Sequence, residues 1–205
     1  RYLLSIDALP SKPLIAFVPM SLRTDNSVAG NQLSFVLANL GTHLDDPLSR
    51  IELIHRSMNN GKRRFRRMNQ AQVINYSVVS YAWEGINLAT GLFPKKQAFN
   101  LIISNVPGSE KPLYWNGARL QSLYPASIVF DGQAMNITLA SYLDKIEFGI
   151  TACSKALPHV QDMLILIEEE LQLLERTSKE LEFQGITVED KSSHKGNNKT
   201  KKLAP

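Results

Sequence analysis

Apolar positions along the chain fall into short runs bounded by proline, glycine or asparagine, and into longer stretches with helical spacing. Leu14-Ile15-Ala16-Phe17-Val18 is a continuous apolar run, the pattern of a strand buried on both faces, and Pro19 is expected to end it. Asn31–Leu40 alternates weakly, with Leu33, Phe35 and Leu37 on one side, and predicts a second strand. Phe99–Ile103 is apolar on both faces and breaks at Ser104-Asn105-Val106-Pro107-Gly108. Three further strand-like segments follow: Leu113–Leu123, Ile128–Ser141 (interrupted at Asp131-Gly132) and Ile146–Ala152. Asp144-Lys145 is the expected tight turn between the last two.

The helical stretches carry their own start and stop signals. Asp45-Asp46-Pro47 combines an acidic N-cap with proline at the first helical position, and Leu48, Ile51, Ile54 and Met58 then recur on one face. Ala71–Phe93 is apolar nearly all round and long enough to span a bilayer. Asn75, Glu84 and Asn87 argue against spanning, because a central carboxylate is costly in lipid. The segment reads instead as a helix buried in a lipid-handling protein or resting at a membrane interface, stopped by Pro94. Pro158 is expected to open a last helix, with Val160, Met163, Leu164, Ile167, Leu171 and Leu174 packed on a sheet and Glu168-Glu169-Glu170 in water.

Composition narrows the class. With 43% hydrophobic and 20% charged residues the chain is globular, and 205 residues can bury a core. One cysteine, Cys153, excludes an internal disulfide and fits a reducing compartment. The opening Arg1-Tyr2-Leu3-Leu4 reads like the end of a helix, as expected of a piece of a longer protein. The net charge of +4 matters through its placement. Lys62-Arg63-Arg64-Phe65-Arg66-Arg67 is the densest run, and it fits a solvated helix end, an anionic lipid surface or another phosphate. A single aromatic in one short run is a weak nucleic-acid signature, so no nucleic-acid partner is expected. From residue 185 onward the chain is polar and lysine-rich and reads as a disordered basic tail.

Candidate chemistry is sparse. His43, His55, His159 and His194 are isolated from one another and from acidic or cysteine partners, so neither a metal site nor an activated base is expected. The one place where polar groups meet the mouth of an apolar sheet is Asn105-Val106-Pro107-Gly108. Proline must leave the ladder there, and ligands bind where strands end.

Those residues, with Pro112-Leu113-Tyr114-Trp115-Asn116-Gly117, Tyr124-Pro125-Ala126-Ser127, Asn136-Ile137-Thr138 and Ser141-Tyr142, resemble the C-terminal domain of the bacterial bifunctional wax ester synthase/acyl-CoA:diacylglycerol acyltransferases. Val18-Pro19-Met20-Ser21-Leu22-Arg23 and Gly30-Asn31-Gln32 match the same family, and the resemblance covers roughly residues 1–180. It implies an α/β fold, the C-terminal half of a CoA-dependent (chloramphenicol acetyltransferase-like) acyltransferase, with a mixed sheet flanked by helices. Residues 1–184 form that domain and 185–205 the tail. It implies long-chain acyl transfer from acyl-CoA to a fatty alcohol or diacylglycerol, in a tunnel between two domains, with no cofactor beyond the acyl-CoA substrate. The family's His-His-x-x-x-Asp-Gly motif belongs to the N-terminal domain and is absent from this sequence, so no catalytic residue is assigned and the chain is expected to be inactive alone.

Its expected partners are that N-terminal domain and a membrane or lipid-inclusion surface, met through Arg63, Arg64, Arg66 and Arg67, in a cytoplasmic protein held peripherally. The family's motif falls on Asn105, Val106, Pro107 and Gly108 as substrate-binding candidates. Gly85 matches a small-residue position linked to alcohol chain length, and Ser127, Asp131 and Asn136 are further candidates. A lipid-binding or membrane-attachment domain, or a condensation-type domain of the same fold, are the alternatives.

Overall fold

In a computed structural model the described residues are 1–21, 33–90 and 97–183, and they form two compact units. One joins Arg1–Leu9 to the chain from Val160 onward; the other is Pro10–His159. The larger unit is built on a five-stranded mixed sheet. Its strands are β1 (Ile15–Ser21), β2 (Leu33–Asn39), β3 (Leu101–Val106), β6 (Met135–Tyr142) and β7 (Lys145–Ala152). They lie in the order β2-β1-β3-β6-β7. The outer pairs β1–β2 and β6–β7 are antiparallel, and the inner pairs β1–β3 and β3–β6 are parallel. Parallel neighbours need crossover connections. Helices α2 (Pro47–Arg66) and α3 (Gln70–Thr90) lie in the first crossover, and the long segment between Val106 and Met135 makes the second.

Strand limits differ from the sequence reading in five places, each for a local reason. The segment expected over Ile128–Ser141 forms a strand only from Met135, where pairing with β3 and β7 begins, and Ile128–Phe130 stays in the connection. Strand β1 runs through Pro19 to Ser21. Ile15 turns both backbone groups toward Asn100, accepting from its N–H and donating to its Oδ1, so Pro19, an even number of residues on, turns its missing donor to the same side. Pairing with β3 stops at Phe17, and no ladder bond is lost. Strand β3 continues past Ser104 to Val106, because Ser104, Asn105 and Val106 still pair with Thr138, Leu139 and Ala140. Leu113–Leu123 supplies only the two-residue strands β4 (Tyr114–Trp115) and β5 (Ala118–Arg119), folded about Asn116 and Gly117, both at positive φ. The β6–β7 turn is Leu143-Asp144, one residue earlier than expected, because Tyr142 pairs with Lys145.

One sheet face carries Ala16, Ala38 and Leu101, packed against Met58 of α2. Asp46 caps that helix as the sequence predicts, its carboxylate accepting from the Ser49 N–H, with Pro47 at the first position. Near its end Phe65 is buried with Val36 and Val73, its ring edge-on to Tyr76 at 5.6 Å between centroids. On the other face, Phe17 stacks on Phe35 at 4.4 Å and contacts Phe99 at 4.7 Å. Ile102 is the cross-strand neighbour of both Phe17 and Asn136, so all three share that face. Along β6, Asn136, Thr138, Ala140 and Tyr142 are buried in strict alternation.

Helix α3 opens on a reciprocal cap, in which the Gln72 N–H donates to Asn69 Oδ1 and the Asn69 N–H to Gln72 Oε1. It is not buried all round in this chain, since Ile74, Val78, Val79 and Ile86 are all more than half exposed. No helix among the described residues is long and apolar enough to cross a membrane.

In the smaller unit, α4 (Asp162–Phe183) begins four residues after Pro158 and packs with the short α1 (Tyr2–Ser5). Arg1 pairs with Glu169 at 2.7 Å and Glu170 at 3.5 Å. The basic tail, Arg23 and Gly30-Asn31-Gln32 lie outside the described residues.

Candidate functional site

Strands β3 and β6 run parallel, so their carboxyl ends meet at one edge of the sheet. Asn105-Val106-Pro107-Gly108 leaves β3 at that edge, and all four residues are exposed. The exit is fixed by two stitches to the end of β6. The Gly108 N–H donates to Ser141 Oγ at 3.0 Å, and the Leu143 N–H to the Ser109 carbonyl at 2.9 Å. A Cβ on Gly108 would sit 1.8 Å from the Ser141 carbonyl oxygen, so only glycine permits this approach. The outcome is a rigid strand end that offers a bare amide side chain, Asn105, and an apolar shoulder, Val106, at the kind of edge where ligands bind in α/β sheets.

Ser127 and Asn136 come together elsewhere, on the β6 face. The Thr138 hydroxyl is bonded to the Ser127 hydroxyl at 3.0 Å and lies 3.4 Å from Asn136 Oδ1, while Asn136 Nδ2 donates to the Ile128 carbonyl. Tyr142, almost fully buried, accepts from the Leu113 N–H and donates to the Leu120 carbonyl. These contacts pin the 113–128 segment across the sheet. They also satisfy the polar groups of Ser127 and Asn136 within the protein. Asp131 is exposed, in the turn that Gly132 completes at positive φ. Gly85 lies in α3, and its surroundings fall outside the described residues.

Sequence reasoning missed the character of the pinned segment. Tyr114, Trp115, Tyr124 and Ile128 are all at least 65% exposed, a run of large apolar side chains on one connection. The signal was present, since Tyr114-Trp115-Asn116-Gly117 is an aromatic pair before a hairpin turn, but alternation alone made the segment look like one long strand.

At the end of α2, Arg63, Arg64, Arg66 and Arg67 are exposed around the buried Phe65. The Arg64 guanidinium donates to the Tyr76 hydroxyl at 2.6 Å and lies over its ring. The described histidines, His43, His55 and His159, are exposed, and His55 Nε2 meets only the Asn59 side chain at 3.0 Å. Among the described residues no group of three or more His, Cys, Asp or Glu side chains is placed to hold a metal. Backbone N–H groups of Ala156 and then Lys155 hold the Cys153 thiol below its ordinary pKa.

The mixed sheet with α2 on one face and its parallel strand ends at an exposed edge matches a CoA-dependent acyltransferase-like fold, as the likeness to a solved relative shows. The wax ester synthase/diacylglycerol acyltransferase from Marinobacter aquaeolei VT8 superposes with a TM-score of 0.76 at 43% identity, covering 87% of this chain and 40% of that one. The family model for the WS/DGAT C-terminal domain matches residues 29–175. The O-acyltransferase WSD of Acinetobacter baylyi is 59% identical over 174 residues, 85% of this chain and 38% of that protein. A Mycobacterium tuberculosis protein named as a diacylglycerol O-acyltransferase is 48% identical over 178 residues, 86% of this chain and 40% of that protein. The chain therefore belongs to the wax ester synthase/diacylglycerol acyltransferase family and carries its C-terminal domain. It spans about two fifths of the length of these curated relatives.

Proposed function

We propose that this chain is the non-catalytic half of an enzyme that transfers long-chain acyl groups from acyl-CoA to fatty alcohols or diacylglycerol, making wax esters and triacylglycerol. The observation that carries the reading is the strand exit at Asn105–Gly108, held rigid and exposed at the sheet edge in a chain of this family. In this reading Asn105, Val106, Pro107 and Gly108 form part of one wall of the substrate tunnel, facing the family's N-terminal domain. Ser127 and Asn136 act one step back, by fixing the segment that carries Tyr124 and Ile128. The chemistry takes acyl-CoA as substrate and needs no further cofactor.

Gly85 sits in the alcohol path. Glycine within a helix costs roughly 1 kcal/mol against alanine, which space for an alkyl chain would offset. In the full-length enzyme, Gly85→Ile should remove room for two or three methylenes, each contributing about 0.8 kcal/mol. The kcat/KM ratio of hexadecanol to decanol should then fall roughly ten- to fiftyfold. An equal loss on both alcohols would show that Gly85 only lets helices approach, and absence of ester from the unaltered enzyme would sink the acyl-transfer reading.

The same protein is held peripherally at an anionic lipid surface in the cytoplasm. Ile74, Val78, Val79 and Ile86 are exposed on α3, the helix that follows the arginine run in the chain, and this combination of apolar and basic surface supports the reading. Replacing Arg63, Arg64, Arg66 and Arg67 by Gln should weaken co-pelleting with anionic vesicles roughly a hundredfold at low salt, an effect screened over about 10 Å at 0.1 M. Unchanged pelleting would leave the run as a solvated helix end.

A further inference from the structure

Three of the four arginines at the end of α2 share one feature that the fourth lacks. Arg63, Arg64 and Arg67 line an open groove of about 670 Å³ with Asn60, Met68 and Gln72, while Arg66 is not part of its wall. No acidic residue occurs between Glu52 and Glu84, and Glu52 is bound to Arg56. Among the described residues none of the three has a carboxylate partner. Two of the forks are nevertheless held in place. Arg64 is fixed by the Tyr76 hydroxyl and ring, and Arg63 by Asn60 Oδ1.

Three like charges lining one groove repel one another, and an anion seated among them relieves that repulsion. Guanidinium forks match the geometry of phosphate oxygens, and forks already fixed lose little freedom on binding. The charge count selects among phosphates: three cations suit the nearly two negative charges of a phosphate monoester at neutral pH better than the single charge of a diester. We infer that this groove is a binding site for a phosphate monoester. The inference deepens the acyl-transfer reading, because coenzyme A carries such a group on its ribose. A lipid with a monoester headgroup presents the same chemistry.

Calorimetry on the full-length protein tests the site with coenzyme A, dephospho-coenzyme A and the soluble lipid dihexanoyl phosphatidate. Coenzyme A should bind at least tenfold tighter than its dephospho form. Arg63→Gln or Arg67→Gln should erase that difference, Arg63→Lys should lose most of it because the fork is gone, and Arg66→Gln should leave it within twofold. Phosphatidate binding that depends on Arg63 and Arg67, with no preference between the two coenzymes, would keep the site and assign it to lipid. The inference is overturned if neither monoester responds to Arg63 and Arg67, or if Arg66→Gln weakens binding as much as Arg63→Gln, which marks diffuse charge. Ester formation is assayed separately. An enzyme that makes wax ester but ignores the 3′-phosphate loses the groove alone, and one that binds phosphate but makes no ester loses only the acyl-transfer reading.

Discussion

A polypeptide of these 205 residues, incubated with a long-chain acyl-CoA and hexadecanol, should release thiol no faster than buffer. An alcohol hydroxyl is far too weak an acid to attack a thioester at neutral pH without a positioned base, and such a base contributes roughly 10²–10⁴-fold. Histidine is the usual choice, and it needs a partner to orient it. His43, His55 and His159 are exposed, and none pairs with a carboxylate among the described residues. The His-His-x-x-x-Asp-Gly motif of the family occurs nowhere in the sequence. Adding the separately made N-terminal domain should restore ester formation if, as proposed, the substrate tunnel lies between the two halves. Thiol release above background by this chain alone would show that a base exists among residues given none here.

Gly108→Ala and Gly149→Ala should each lower stability by more than about 3 kcal/mol, beyond the usual range for single substitutions. For a domain of this size that corresponds to roughly 6–12 °C in Tm. At Gly108 the added methyl meets the Ser141 carbonyl oxygen at 1.8 Å, and at Gly149 it meets the Pro125 carbonyl oxygen at the same distance. Both obstacles are backbone. Relief would require breaking the stitch between β3 and β6, or lifting the 120–130 segment off the β6–β7 pair. Gly117→Ala is the internal comparison. Its φ of +83° carries strain, but nothing lies within 4 Å of an added Cβ, so about 1 kcal/mol is expected. Thermal unfolding of the three variants separates close approach from turn strain. Equal shifts at all three positions would contradict the packing argument.

Gly108 shows how a sequence motif and its physical cause can differ. The sequence marks Asn105–Gly108 as a strand exit, because proline cannot continue a ladder. It does not tell that Gly108 is required by the Ser141 carbonyl, thirty-three residues away. The hydroxyl and amide of Ser127 and Asn136 likewise look available in the sequence. In the fold they meet at Thr138 and serve the 113–128 segment.

Local signals determined what depends on neighbours in the chain. The Asp46-Pro47 helix start, the alternation that buries every second residue of β6, the strand identities of β1, β2, β3 and β7, and the family motifs were legible from sequence because caps, pleats and turns act over a few residues. Only the tertiary structure decided the rest. It decided that Pro19 stays within a strand, because the neighbour toward which its missing donor turns has already left the ladder. It decided that Tyr114, Trp115 and Tyr124 lie exposed on a long connection that holds only two-residue strands. It also decided that Arg63, Arg64 and Arg67 share a groove that excludes Arg66. Each of these turns on which distant backbone or side chain lies alongside, and residue spacing along a chain carries no information about that.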